Sequence, residues 1–126
     1  MKVRRHHGGR ARAGALLTEA VVALGILVAV MIPLAFTFQQ ETRTCRAHYY
    51  KAVAMEIVDG EVEALAAGEW RAFRPGKQSY AVRAAAATNL PPGDFLLTLD
   101  EARVRLEWIP RAGGAGGIVA REVKVR

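Results

Sequence analysis

Residues 10–38 read RARAGALLTEAVVALGILVAVMIPLAFTF, and the placement of charge along them decides how the chain is built. From Ala20 to Phe38, nineteen residues carry no charge and Thr37 is the only polar side chain. At about 1.5 Å per residue, a helix of that length spans roughly 28 Å, close to the ~30 Å hydrocarbon core of a bilayer. The run can therefore cross a membrane. A removable secretory signal fits less well, because its apolar region is typically about 7 to 15 residues and ends at a small-x-small site. This run ends instead in Leu34-Ala35-Phe36-Thr37-Phe38. Lys2, Arg4, Arg5, Arg10 and Arg12 precede it with no acid among them, whereas Arg43, Arg46 and Lys51 follow it mixed with Glu41 and Glu56. The positive-inside rule places the N-terminus in the cytoplasm and residues 39–126 on the far side.

One carboxylate, Glu19, stands at the mouth of the apolar run. An ionised acid at membrane depth costs about 2.5 to 3.5 kcal/mol even on the lenient insertion scale, so it needs a positive partner. Cutting the chain after Gly14 would create one, an amino terminus at Ala15, four residues before Glu19. A short basic leader ending in Gly14, a break before Ala15, Glu19 fifth after the break and an apolar segment directly beyond it resemble the class III signal of type IV pilins and type II secretion pseudopilins. The resemblance covers residues 1 to about 40 and is only architectural beyond. It implies cleavage between Gly14 and Ala15 by a prepilin peptidase, N-methylation of Ala15, and assembly with other pilin or pseudopilin subunits into a filament. It also implies an inner-membrane assembly platform as a partner, contact with membrane lipid, and a bacterial inner-membrane location with the C-terminal domain periplasmic or extracellular. The family most often has Phe directly after the break; here Ala15, Leu16, Leu17 and Thr18 precede Glu19.

The chain carries 18 basic and 12 acidic side chains, but five of the bases lie in the first fourteen residues. The basic character belongs mostly to the leader, which reads as a topogenic flank rather than a nucleic-acid surface, since no basic patch with interleaved aromatics follows it. Cys45 is the only cysteine, so no intramolecular disulfide can brace the domain. It reads as a small helix-face residue.

Beyond the apolar run the helical pattern continues. Between Gln39 and Ala67 there is no proline, and Tyr50, Val53, Ala54, Ile57, Val58 and Leu65 recur at three- and four-residue spacing. Glu56, Asp59 and Glu63 fall on the opposite, solvated side. Gly68 supplies a stop. One helix from Leu16 to Ala67 is expected, apolar all round in its first half and amphipathic in its second, with weak points at Gly25, Pro33 and Gly60. From Phe95 the period changes to that of strands: Phe95 to Leu99, then Val104, Leu106 and Trp108 alternating with charged residues, then Ile118 to Arg126. The expectation is an α+β fold of pilin type, in which the long N-terminal helix packs on an antiparallel meander of about three strands. Its segments are a leader over 1–14, a stem over 15–38, a helix over 39–67, a variable loop over 68–94 and the sheet over 95–126. Ser79 to Arg83 could add an edge strand, and residues 89–93 read as loop.

The search for chemistry finds little. His6 and His7 lie in the leader with no Cys or carboxylate at ligand spacing, and His48 stands alone on the helix. Glu56, Asp59 and Glu63 share a face, but Glu61 points away from them and the looped carbonyl ligands of a calcium site are absent. Gly113-Gly114-Ala115-Gly116-Gly117 lacks the Gly-Lys-Ser/Thr ending of a phosphate loop and reads as a hairpin tip. Ser79, Thr88 and Thr98 have no histidine pattern around them. No catalytic residue, metal site or cofactor is expected. The sequence thus points to a non-enzymatic structural subunit, a minor pilin or pseudopilin, with Gly14, Ala15 and Glu19 as its functional residues. The alternative is an uncleaved single-pass membrane protein whose external domain binds another protein.

Overall fold

The computed structural model describes residues 8–125, with side chains from Arg12 onward. Helix α1 runs without interruption from Gly8 to Ala66, 59 residues with Pro33 inside it. It starts earlier than the sequence pattern indicated, continues across Gly25, Pro33 and Gly60, and stops one residue before Ala67. The end is closed by a hydrogen bond from the Gly68 N–H to the Leu65 carbonyl at 3.0 Å, with Gly68 at φ 131°, a value that favours glycine. The chain divides into two compact units that meet between Glu41 and Thr42. In the first, the described residues are all part of α1.

In the second unit, four strands form one antiparallel sheet in the order β1 (Gly76–Ser79), β2 (Gly93–Asp100), β3 (Arg103–Pro110) and β4 (Val119–Lys124). The α+β class and the meander hold; the strand count is four rather than three. β1 escaped the sequence reading because an edge strand with neither face buried needs no apolar alternation. Its residues Gly76, Lys77, Gln78 and Ser79 pair with Leu99, Thr98, Leu97 and Leu96 through the backbone ladder. The proposed edge strand Ser79 to Arg83 is corrected: only Ser79 belongs to the ladder, and Tyr80 adds a last hydrogen bond to the Phe95 carbonyl at 2.9 Å. The variable loop over 68–94 is likewise more ordered than expected, with short 3₁₀ turns at Glu69–Ala72 and Ala85–Asn89 besides β1.

The core forms where the helix stripe meets the inner sheet face. Ala54, Val58, Val62 and Leu65 follow one another at three- and four-residue steps and are buried with Leu97 and Leu99 of β2 and Val104, Leu106 and Trp108 of β3. Register makes the alternation cohere: Leu97 faces Leu106, Leu99 faces Val104, and Trp108 faces Val119 of β4. A shift of one residue would turn the whole set outward. Trp108 is 1% exposed, and a Cβ at Gly93 would lie 2.6 Å from its Nε1, so glycine is required where β2 begins. The hairpin tip expected over residues 113–117 does join β3 to β4, but it is pinned rather than free. Ala115 is buried, and a Cβ at Gly116 would lie 2.5 Å from the Ala47 carbonyl of α1.

Because the helix supplies Ala54, Val58, Val62 and Leu65 to this core, a chain beginning at Gln39 is expected to unfold in one cooperative thermal transition, whereas one beginning at Trp70 should aggregate or stay unfolded. A cooperative transition and dispersed amide signals from the shorter chain would contradict the shared core.

Candidate functional site

The first unit presents the residues that the leader pattern singled out. Every described side chain from Arg12 to Glu41 is exposed, among them Leu16, Leu17, Val21, Leu24, Ile26 and Phe36, each at 60% or more. A helix that is apolar all round belongs inside a larger protein, an assembly or a bilayer. The segment is long and apolar enough to cross a membrane, and none of it is buried within the chain. A single apolar helix near the N-terminus is thus compatible with a single-pass membrane protein.

Within that helix Gly14 and Ala15 share one turn and Glu19 lies on the next. The Gly14 carbonyl accepts a hydrogen bond from Thr18 Oγ1 at 2.9 Å, so the Gly14–Ala15 peptide lies inside regular helix. Glu19 is one turn beyond Ala15 and is exposed. Among the described residues no cation lies within ion-pair distance of it. If the stem is covered by apolar neighbours, compensation for this carboxylate must come from outside the chain or from a newly made amino terminus. Pro33 has no N–H to offer the Ala29 carbonyl, and one turn on, Thr37 Oγ1 donates to the Pro33 carbonyl at 3.0 Å. Lys2, Arg4, Arg5, His6 and His7 lie outside the described residues, as does the side chain of Arg10.

The second unit holds a polar cluster that sequence reasoning missed. Glu61 is 8% exposed. Its Oε2 accepts a hydrogen bond from the Tyr80 hydroxyl at 2.7 Å, and its Oε1 accepts from the backbone N–H groups of Arg83 at 3.0 Å and Ala84 at 3.3 Å. Arg83 then closes on Glu69 with two bonds, at 2.7 and 3.2 Å. The clamp fastens residues 80–84 to α1. Its signal was present in the sequence: Glu61 falls four residues after Ile57 and four before Leu65, inside the apolar stripe, where a carboxylate has to find partners.

The Asp59 side chain stays exposed to water as expected but has a partner. It makes a two-point contact with Arg121 of β4, which holds its carboxyl below the ordinary carboxylate range, while Glu56 and Glu63 are exposed as expected. Arg121 shares parity with Val119 and Val123, so it points toward the helix like them. On the outer sheet face, Glu107 receives Arg105 at 2.8 Å and lies 4.0 Å from Lys77, and Glu122 receives Arg103 at 3.1 Å. His48 and Cys45 are exposed on α1, and no group of three or more metal-binding side chains occurs among the described residues. No family model matches the chain, and neither does a curated protein or a solved structure.

Burial, together with the hydrogen bond to Glu61, pushes the Tyr80 phenol above its ordinary value of 10.0. A group raised on folding adds stability that is complete below its unfolded value and is lost as pH rises beyond it. The domain should therefore lose stability above about pH 10, and Tyr80→Phe should remove the part of that loss due to this phenol. At pH 7, Glu61→Ala should cost about 1 to 3 kcal/mol, because buried N–H groups lose their acceptor. Thermal unfolding of both variants at pH 7 and pH 11 checks this; an unchanged Glu61→Ala domain would contradict the clamp.

Proposed function

We propose that the protein is a minor pilin or pseudopilin, a structural subunit made as a precursor, cut between Gly14 and Ala15 by a prepilin peptidase, and assembled through its apolar stem. The observation that carries this reading is the combination of Gly14, Ala15 and a Glu19 with no ion-pair partner among the described residues, at the head of an exposed apolar helix. In the membrane the stem is covered by lipid; in a filament it is covered by the stems of neighbouring subunits. Either cover removes water from around Glu19 and raises the value of a positive partner. Cleavage supplies that partner as the amino terminus of Ala15, and a neighbouring subunit presents it.

The leader, residues 1–14, keeps the N-terminus cytoplasmic through its bases, and residues 39–126 lie in the periplasm or outside the cell. The work of such a subunit is non-enzymatic: it binds other pilin or pseudopilin subunits and the inner-membrane assembly platform. Ala15, once freed, is the position for N-methylation. The competing reading is an uncleaved single-pass protein with an external protein-binding domain. It draws on the helical state of the Gly14–Ala15 bond, which a peptidase would have to unwind before cutting.

Two substitutions test the reading. Gly14→Glu should block processing and accumulate precursor, because a bulky charged side chain would stand at the scissile bond. Glu19→Gln should be inserted and cleaved yet enter filaments or the secretion complex poorly. Leaving one partner of a buried pair uncompensated costs typically about 3 to 5 kcal/mol, against about 0.3 to 1 for the helix-dipole preference of a first-turn acid. Crosslinking to partner subunits gives the readout, with N-terminal sequencing of the same material. Wild-type incorporation of cleaved Glu19→Gln protein would remove the pairing role.

A further inference from the structure

Arg43 and Arg46, on the part of α1 that follows the apolar run, line a cleft of about 500 Å³ with Tyr50, Pro91, Gly113 and Gly114. Five other arginines of this unit, Arg83, Arg103, Arg105, Arg111 and Arg121, each pair with a carboxylate. Among the described residues, Arg43 and Arg46 have no such partner. The opposite wall is fixed in place, because the 113–117 turn is anchored by buried Ala115 and by Gly116 against Ala47 and Lys51 of α1. The cleft is thus a built, positively charged recess.

Its place in the chain indicates what fills it. Arg43 and Arg46 come five and eight residues after Phe38, the last residue of the apolar run. Within a helix, Arg43 is only about 7.5 Å further along the axis. The headgroup layer extends roughly 5 to 7 Å beyond the hydrocarbon on each side, and a long Arg side chain can reach back toward it. Tyr49 is 53% exposed beside Tyr50, and aromatic residues of this kind anchor proteins at membrane–water interfaces. A guanidinium fork matches the paired oxygens of a phosphate.

We infer that Arg43 and Arg46, with the Gly113–Gly114 turn, form a binding site for the headgroup of an anionic phospholipid. The inference rests on the reading that the apolar run crosses a bilayer. Bound lipid would fix the rotation of α1 at the membrane surface and hold the subunit there until the stem is withdrawn.

The test uses the full chain in neutral maltoside micelles, titrated with short-chain phosphatidylglycerol, short-chain phosphatidylcholine or inorganic phosphate while the Gly113 and Gly114 amides are followed by NMR. Phosphatidylglycerol should give saturable shifts at least tenfold tighter than the other two. Arg43→Gln/Arg46→Gln should abolish them with the Val104 and Leu106 amides unmoved, and Arg43→Lys/Arg46→Lys should retain part. Equal response to phosphate would make the recess a free-anion site, and equal response to phosphatidylcholine would show no headgroup selectivity; either overturns the inference. Carbonate extraction of bilayer-reconstituted protein separates the two layers. A chain that resists extraction but gives no saturable shift overturns the lipid site alone, and a chain that washes off overturns the membrane reading beneath it.

Discussion

The apolar surface of α1 is the constraint on which the rest depends, and the chain covers only part of it. From Ala54 to Leu65 the stripe is closed by β2, β3 and β4, and burying those side chains gives a small domain its core. From Arg12 to Glu41, none of the described residues covers the helix. A polypeptide that leaves such a run open calls for cover from a larger protein, an assembly or a bilayer. One continuous element therefore does two jobs: its second half completes a fold and its first half requires a setting outside that fold.

Polar contacts then decide which way the parts face. Glu61 takes the hydroxyl of Tyr80 and two backbone N–H groups, fastening the irregular segment after β1 to the helix. Asp59 and Arg121 join helix to edge strand across the rim of the core. Exposed pairs of this kind add little stability singly, so their value lies in register and orientation. Glu61 is different in kind, because a buried acceptor with three donors is costly to remove. The outer sheet face carries alternating charges from Arg103, Arg105, Glu107 and Glu122, which keeps that face in water and discourages strand pairing with other chains.

Much of this was legible in the sequence because period and parity report burial directly. Tyr50, Ala54, Val58 and Leu65 announced the helix face, and Val104, Leu106 and Trp108 announced the central strand. β1 was not legible, because Gly76 to Ser79 are held by backbone hydrogen bonds that leave no mark on side-chain pattern. The partners of Asp59 and Glu61 were passed over for a related reason: a charged residue reads as solvated until its partner is known, and Arg121 and Tyr80 are separated from them by long stretches of chain. The resemblance of residues 1 to about 40 to a prepilin signal is of another kind. It lies in Gly14, Ala15 and Glu19, whose proposed roles depend on partners that a single chain does not contain.

Those three residues carry the functional proposal, and the clamp and sheet make the rest of the chain a folded body for the stem to carry. Glu19 ties the two ends of that proposal together, since its need for a positive charge arises only once the stem is covered and is met only once the leader is gone. The most direct measurement is the intact mass and N-terminal sequence of the wild-type protein after expression with a prepilin peptidase. A mature chain beginning at Ala15 is the predicted result, and a chain that keeps residues 1–14 in the presence of active peptidase would contradict it.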